Sequence, residues 1–207
     1  MSSPDAVEAC ARVLAEKSKS FALASKLLAR EERNAIAVIY AFCRHVDDAI
    51  DLAPAEDRPR ALEHLRTEVD DVFAGRPTGV LVLDAFAEVA KQHRIPREYV
   101  DELVAGMRMD VERARYRTRT ELHLYAYRVA GVVGLLLCHV MGLRDPRALP
   151  RAAHLGIAMQ LTNICRDVEE DLADGRSYLP IETLGFDLSA FPAARSASHE
   201  AVIRTVK

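Results

Sequence analysis

Asp47 and Asp51 stand four residues apart in residues 35–52, AIAVIYAFCRHVDDAIDL. Asp167 and Asp171 stand four apart in residues 155–172, LGIAMQLTNICRDVEEDL. Four residues is about one turn of α-helix, so each pair projects from one face. On the first segment Tyr40 and Arg44 share that face with the carboxylates, within about 60° of one another. On the second, Gln160 lies within about 40° of Asp167 and Asp171, with Asn163 beside them. Most other positions in both segments are apolar, which predicts helices buried nearly all round. Two carboxylates one turn apart repel each other where water cannot bathe them, so something positive must compensate. Arg44 supplies part of that charge, and a bound cation would supply more. One D-x-x-x-D alone reads as a solvated face or a pair of salt bridges. Two of them on apolar helices, facing each other across a bundle, would form a cage of hard oxygen ligands. Mg²⁺, and Mn²⁺ by the same chemistry, takes one or two carboxylates per ion and completes its shell with water and substrate phosphates. The residues therefore point to several such ions gripping a diphosphate and making it a better leaving group. Ionisation of its C–O bond would leave an allylic cation, for which Phe21, Tyr40 and Phe42 are candidate aromatic faces.

The elements that must position these groups are helices. Every long segment carries the 3.6-residue period and none alternates, so the chain reads as all-α. The pattern predicts helices over 4–17, 31–52, 56–74, 80–94, 97–114, 120–141 and 150–172, with another starting near 195. Gly75 and Gly142 sit where helices should stop, Thr120 is a candidate N-cap, and Pro96 suits a first helical turn. No repeat, linker or low-complexity tract divides the 207 residues. One domain, 1–207, is expected, a bundle around a central cavity. Residues 196–207 open an amphipathic helix with no C-terminal cap, so the domain is expected to be incomplete at that end.

Composition narrows the function classes. Half of the residues are hydrophobic, 29% are charged, and the formal net charge is −3. That balance excludes a general polyanion binder and hence nucleic acid, so affinity for an anionic substrate must be built locally. The N-terminus lacks a charged segment followed by an apolar run, and residues 129–140 are too short to span a bilayer. A cytoplasmic protein is expected, with a peripheral membrane contact left open because it needs no spanning segment. Cys10, Cys43, Cys138 and Cys165 are far apart and read as reduced core thiols. No Glu-x-x-His pair, G-x-G-x-x-G or P-loop occurs, which argues against a di-iron bundle and a nucleotide fold.

Four further stretches carry a resemblance. Ser18-Lys19-Ser20-Phe21 followed by Tyr40-Ala41-Phe42-Cys43-Arg44 and Asp47-Asp48-Ala49-Ile50-Asp51 resembles the first signature of the squalene and phytoene synthase family. Residues 125–134, YAYRVAGVVG, are similar to its central signature. Gln160 to Ile164, Arg166-Asp167, Glu170-Asp171 and Gly175-Arg176-Ser177-Tyr178-Leu179-Pro180 are similar to its second. The resemblance implies a helical isoprenoid-synthase fold and the head-to-head condensation of two prenyl diphosphates through a cyclopropyl diphosphate. Squalene synthases then reduce with NADPH, whereas phytoene synthases lose a proton. The run SKSFALASKLL is more similar to bacterial phytoene synthases, which join two geranylgeranyl diphosphates. Squalene or dehydrosqualene formation from farnesyl diphosphate is the alternative, followed by a terpene cyclase and a non-catalytic helical relative.

By the same resemblance Asp47, Asp51, Asn163, Asp167 and Asp171 match metal ligands. Ser18, Lys19, Ser20, Phe21, Tyr40, Arg44, Gln160 and Arg166 match positions that hold diphosphate or line the cavity, and Tyr125, Arg176 and Tyr178 match pocket positions. Asp110 matches a family position but reads equally as a surface charge. Gly131 and Gly134 mark a close approach, of a prenyl chain or of another helix. His45 and His139 read as ordinary satisfied histidines. Nothing in the sequence bears on oligomeric state.

Overall fold

The computed structural model describes residues 4–112, 115–143, 145–173 and 175–184. The helix expected near 195 lies outside them. Among the described residues the fold is helical, with only an isolated bridge between Arg115 and Ser177. The helices are α1 Pro4–Lys17, α2 Lys19–Ser25, α3 Arg30–Asp51, α4 Arg58–Ala74, α5 Leu81–His93 and α6 Arg97–Glu112. They continue as α7 Arg119–Ala126, a π-helical turn Tyr127–Gly131, α8 Val132–Val140, α9 Ala148–Arg166, α10 Val168–Ala173 and α11 Ile181–Leu184.

α3 is the central element because its sequence is apolar on most sides. Ala35 to Ile39, Ala41, Phe42, Val46 and Ile50 are buried, and α1, α4, α5, α6 and α8 pack around them. Phe42 stacks on Phe86 of α5 with ring centroids 3.7 Å apart. Each such large apolar side chain contributes about 1.5–3 kcal/mol on burial. Phe42 therefore serves the core and does not face a substrate, contrary to its sequence reading as a cation-stabilising ring.

Several boundaries differ from the sequence pattern for identifiable reasons. α2 was not expected, because seven residues are too few to show a period. It forms because the Ser18 hydroxyl caps it, accepting from the Phe21 N–H at 3.4 Å. α7 starts two residues earlier than Thr120 suggests. Thr118 is its N-cap, and Glu121 completes a capping box by returning its carboxylate to the Thr118 N–H. Gly75 and Gly142 do end α4 and α8, at φ of 69° and 65°.

The run Arg119–Val140 is 22 residues, long and apolar enough to cross a membrane. It extends further towards the N-terminus than the apolar stretch alone suggested. It packs on α3, α6 and α9, with Val132, Leu135, Leu136, Cys138 and Val140 buried, and so is a core helix. α9 is less buried than its sequence predicts. Only Ala153 and Ile164 are fully enclosed, and Leu155 is 64% exposed. Periodicity shows that a helix has an apolar stripe but not how many neighbours cover it. Among the described residues α9 is covered on the side of α7, the π turn and α8.

The glycines of that contact are explained by packing. A Cβ at Gly134 would lie 2.4 Å from the Ala152 carbonyl oxygen, and one at Gly131 would lie 3.3 Å from that of Ala153. The close approach they permit is to the backbone of α9. All four cysteines are free thiols, with Cys10 and Cys138 buried. His139 donates from Nδ1 to the His93 carbonyl oxygen, 3.4 Å away, and its ring rests edge-on against Tyr99, as expected of a satisfied histidine.

Candidate active site

The two acidic pairs share one cleft of about 310 Å³. α3 contributes Arg44, Asp47 and Asp51 to it, and α9 contributes Gln160, Asn163 and Ile164. Asp167 comes from the α9–α10 junction and Asp171 from α10, Met107 and Asp110 from α6, Tyr125 from α7, and Val129 from the π turn. Arg176 and Tyr178 come from the segment after α10. Ten of the expected site residues therefore meet in one place. A groove of about 730 Å³ between α4 and α5 is larger but holds none of them.

The helix expected over 150–172 breaks at Asp167. That residue leaves helical geometry at φ −101° and ψ 15°, yet the chain stays continuous through Asp167 N–H to Asn163 and Asp171 N–H to Asp167 at 2.9 Å each. The break keeps Asp167 and Asp171 on the cleft while redirecting the chain into the 175–180 segment.

The carboxylates are under electrostatic strain. Burial, and then the charge of Asp51 one turn away, push Asp47 up to about 7, with Arg44 opposing. Arg44 forms its ion pair with Asp48, not with the acidic pair itself. Arg176 reaches across the cleft to Asp51, Nη2 to Oδ1 3.0 Å, with its side chain only 17% exposed. The Nε groups of Arg44 and Arg176 are both buried with no hydrogen-bond partner among the described residues. Unpaired buried donors on two cations lining one cleft are complementary to an anion.

Other expected residues lie beside the cleft. Arg166 is 67% exposed and grips Asp167 through two bonds of 2.6 and 2.7 Å, so it acts on that carboxylate from the solvent side. Ser18 is close to the Tyr40 phenol, and Phe21 packs on Tyr40 with ring centroids 6.2 Å apart. Tyr40 is one helical turn from Arg44. Lys19 and Ser20 are exposed on α2. His45 bonds Glu68 of α4 at 3.0 Å, tying two helices together away from the cleft.

Asp110 is the residue that the sequence left undecided and the structure places in the site. It lines the cleft with Met107 and is held by Tyr125 and Tyr178, whose hydroxyls both donate to it at 3.0 Å. Burial pushes its carboxyl up to about 6, while those two hydrogen bonds and Arg176 pull it down. Tyr116, which no motif singled out, completes an aromatic cluster with Tyr125 and Tyr178 at centroid distances of 5.2 and 5.5 Å. The available signal for Asp110 was its register on the apolar stripe of α6, one to two turns beyond Leu103, Gly106 and Met107, which are buried.

Residues 14–207 match the family model for squalene/phytoene synthase. The chain belongs to the squalene/phytoene synthase family. It is 43% identical over 194 residues to a phytoene synthase of Pseudescherichia vulneris, and 39% identical over 191 residues to one of Rhodobacter capsulatus. These matches cover 89% and 90% of this chain and 62% and 56% of the relatives, so the chain spans about three-fifths of their length. Among solved structures, a dehydrosqualene synthase in complex with ligand superposes with a TM-score of 0.82 at 29% identity, covering 98% of this chain and 73% of that one. A squalene synthase of Alicyclobacillus acidocaldarius gives 0.80 at 27% identity, covering 98% and 82%. The helical isoprenoid-synthase fold expected from the sequence is thus established.

The donor set fits a hard divalent cation. It offers carboxylate and amide oxygens, with one carboxylate, Asp47, whose proton affinity is raised by burial and by the neighbouring charge of Asp51. Among the described residues no three His, Cys, Asp or Glu side chains converge into a ready metal cage. The fit is therefore to ions that take one or two protein carboxylates each and draw the rest of their shell from water and phosphate.

Proposed function

We propose that this chain carries the catalytic cleft of a Mg²⁺-dependent prenyl transferase that condenses two prenyl diphosphates head to head. The reading favoured for the substrate is geranylgeranyl diphosphate, giving phytoene by way of a cyclopropyl diphosphate. The observation that carries the reading is the cleft itself. Acidic pairs from α3 and from the α9–α10 corner line it together with two guanidinium groups whose buried Nε–H groups lack a partner. The relatives at 39–43% identity, all phytoene synthases by name, support the substrate class.

In this reading Asp47, Asp51, Asn163, Asp167 and Asp171 hold the cations. When bound, these neutralise diphosphate charge and lower the cost of C–O ionisation. Arg44 and Arg176 donate hydrogen bonds to the diphosphate, bidentate pairing being the strength of a guanidinium. Gln160 is placed to orient it, and Arg166 fixes the Asp167 carboxylate. Met107, Val129 and Ile164 keep water from the allylic cation, and the ring faces and oxygens of Tyr125 and Tyr178 present negative charge to it. Ser18, Lys19, Ser20, Phe21 and Tyr40 flank the Arg44 side, where a second diphosphate would lie. Leu23 and Leu27, 68% and 91% exposed, stand beside Lys19 and Lys26 and offer a place for peripheral contact with a membrane from the cytoplasm.

Farnesyl diphosphate is the second reading, because the solved structures of similar fold include a dehydrosqualene synthase and a squalene synthase. NADPH is called for only if the product is squalene. The deciding experiment supplies each prenyl diphosphate with Mg²⁺ and analyses the organic phase. A symmetric forty-carbon hydrocarbon from geranylgeranyl diphosphate, abolished by chelator and restored by Mg²⁺ or Mn²⁺, is the expected result. A cyclised monomer, an elongated diphosphate, or undiminished product in excess chelator would reject it.

A further inference from the structure

Asp110 has a role that packing does not explain. The segment bearing Tyr178 is already held by backbone bonds, Tyr116 N–H to Ser177 at 3.2 Å, Ile181 N–H to Tyr116 at 3.2 Å and Glu182 N–H to Arg117 at 3.0 Å. Tyr125 and Tyr178 are already stacked, with centroids 5.0 Å apart. A half-buried carboxylate held against them adds a desolvation cost that a neutral side chain of the same shape would avoid. What only a carboxylate supplies is two acceptor oxygens and no donor. Oδ2 takes the Tyr125 proton and Oδ1 takes the Tyr178 proton, each at 3.0 Å. The competing bond from Tyr125 to the Tyr178 oxygen spans 3.4 Å, beyond the usual O–H···O range. It would also leave one Asp110 oxygen without a donor.

We infer that Asp110 is a positioning residue for the condensation. It commits both phenol protons to itself, so that the oxygens of Tyr125 and Tyr178 turn only lone pairs towards the cleft. The inference rests on the proposed function for its consequence, namely that an allylic cation in the cleft meets two preoriented negative dipoles backed by the Asp110 charge. Arg176, near Asp110 and paired with Asp51, favours the ionised form of the carboxyl that this arrangement needs. An amide in place of the carboxylate would present one acceptor and one donor, forcing one phenol to reverse.

The test has a spectroscopic arm and a kinetic arm. The tyrosine Fermi doublet in ultraviolet resonance Raman spectra reports whether phenols donate or accept. Asp110→Asn should move the doublet of the six tyrosines towards acceptor character, and Asp110→Glu, which keeps the charge, should not. The Asn shift should vanish in a Tyr125→Phe, Tyr178→Phe background. In the kinetic arm Asp110→Asn should lower kcat by roughly 10²-fold, while Mg²⁺-dependent affinity for a non-hydrolysable prenyl diphosphate analogue stays within about threefold. An unmoved doublet overturns the inference, as does an equal shift in the Glu variant. So does a parallel loss of analogue affinity and turnover, which would mean a structural role. Absence of any product from the unsubstituted protein would reject the proposed function, and the Raman arm would still decide where the protons point.

Discussion

Asp47→Asn is expected to stabilise the metal-free protein at pH 8 while removing nearly all turnover. Both effects come from one fact, that the fold buries Asp47, and does so beside Asp51 with too little positive charge to compensate. Burial and Asp51 hold the Asp47 carboxyl up at about 7, above its ordinary value of 3.8. A carboxyl whose folded-state pKa is raised binds its proton more tightly folded than unfolded. Its contribution to stability is then full below the ordinary carboxylate range and is lost as pH rises from about 4 through 7. At 1.36 kcal/mol per pKa unit the loss for a fully enclosed group would be roughly 4 kcal/mol. Asp47 opens partly onto the cleft, so solvent screening reduces this to about 1–3 kcal/mol. Asp110, held up at about 6, adds a loss of the same sign over a lower range.

Denaturation in chelator should therefore show the unsubstituted protein losing stability as pH rises from about 4 through 7, with Asp47→Asn markedly flatter. Mg²⁺ with inorganic diphosphate should restore the unsubstituted protein at pH 8 and leave the variant unchanged, because the displaced proton and the lost ligand are the same group. Turnover should fall by roughly 10²–10³, as for loss of one preorganised charge-stabilising group. A variant less stable than its parent at pH 8 would show that Asp47 is already compensated by the protein and needs no cation.

What the sequence revealed depended on how local the determinant was. The acidic pairs were legible because four residues make one turn and the surrounding residues are apolar. Arg176 and Tyr178 were reachable only through resemblance, since no period carries the 175–180 segment into the cleft. Asp110 was undecidable from α6 alone, because its meaning depends on two phenols 15 and 68 residues further along the chain. The π turn at Tyr127–Gly131, which lets Val129 face the cleft, is invisible to a 3.6-residue pattern for the same reason that makes it useful, its departure from that period. The sharing of Arg44 with Asp48 rather than Asp47 was equally hidden, as both acids lie within one turn of it.

Gly156→Ala is expected to be the most damaging single-methyl change in the described part of the chain. Gly156 sits inside α9, where glycine costs about 1 kcal/mol relative to alanine in helix propensity, so propensity alone predicts that the change stabilises. Packing predicts the reverse. A Cβ there would lie 2.2 Å from the Ala130 carbonyl oxygen, 2.7 Å from its carbon and 3.0 Å from the Gly131 Cα. All three are backbone atoms of the π turn, so no side chain can rotate away. Gly134 makes the reciprocal approach to Ala152, and α9 is therefore seated backbone to backbone across this contact. Relief requires α9 to shift outward. Overpacking of this kind costs typically 1–3 kcal/mol, and more where backbone must move, which exceeds the propensity gain. The consequence for the site is direct, because α9 carries Gln160 and Asn163 and delivers Asp167. Displacing it widens the cleft and separates the two acidic sets even in molecules that stay folded. Thermal denaturation should show a loss of about 2 kcal/mol or more, and Mg²⁺-dependent affinity for a diphosphate analogue should fall at least tenfold below the melting range. Gly134→Ala should reproduce both effects. Gly79→Ala, which would meet no atom within 4 Å, should leave analogue affinity unchanged and cost only its φ of 74°. Stability equal to or above the parent in Gly156→Ala would mean that α9 does not sit against the π turn, and the geometry of the cleft would have to be redrawn.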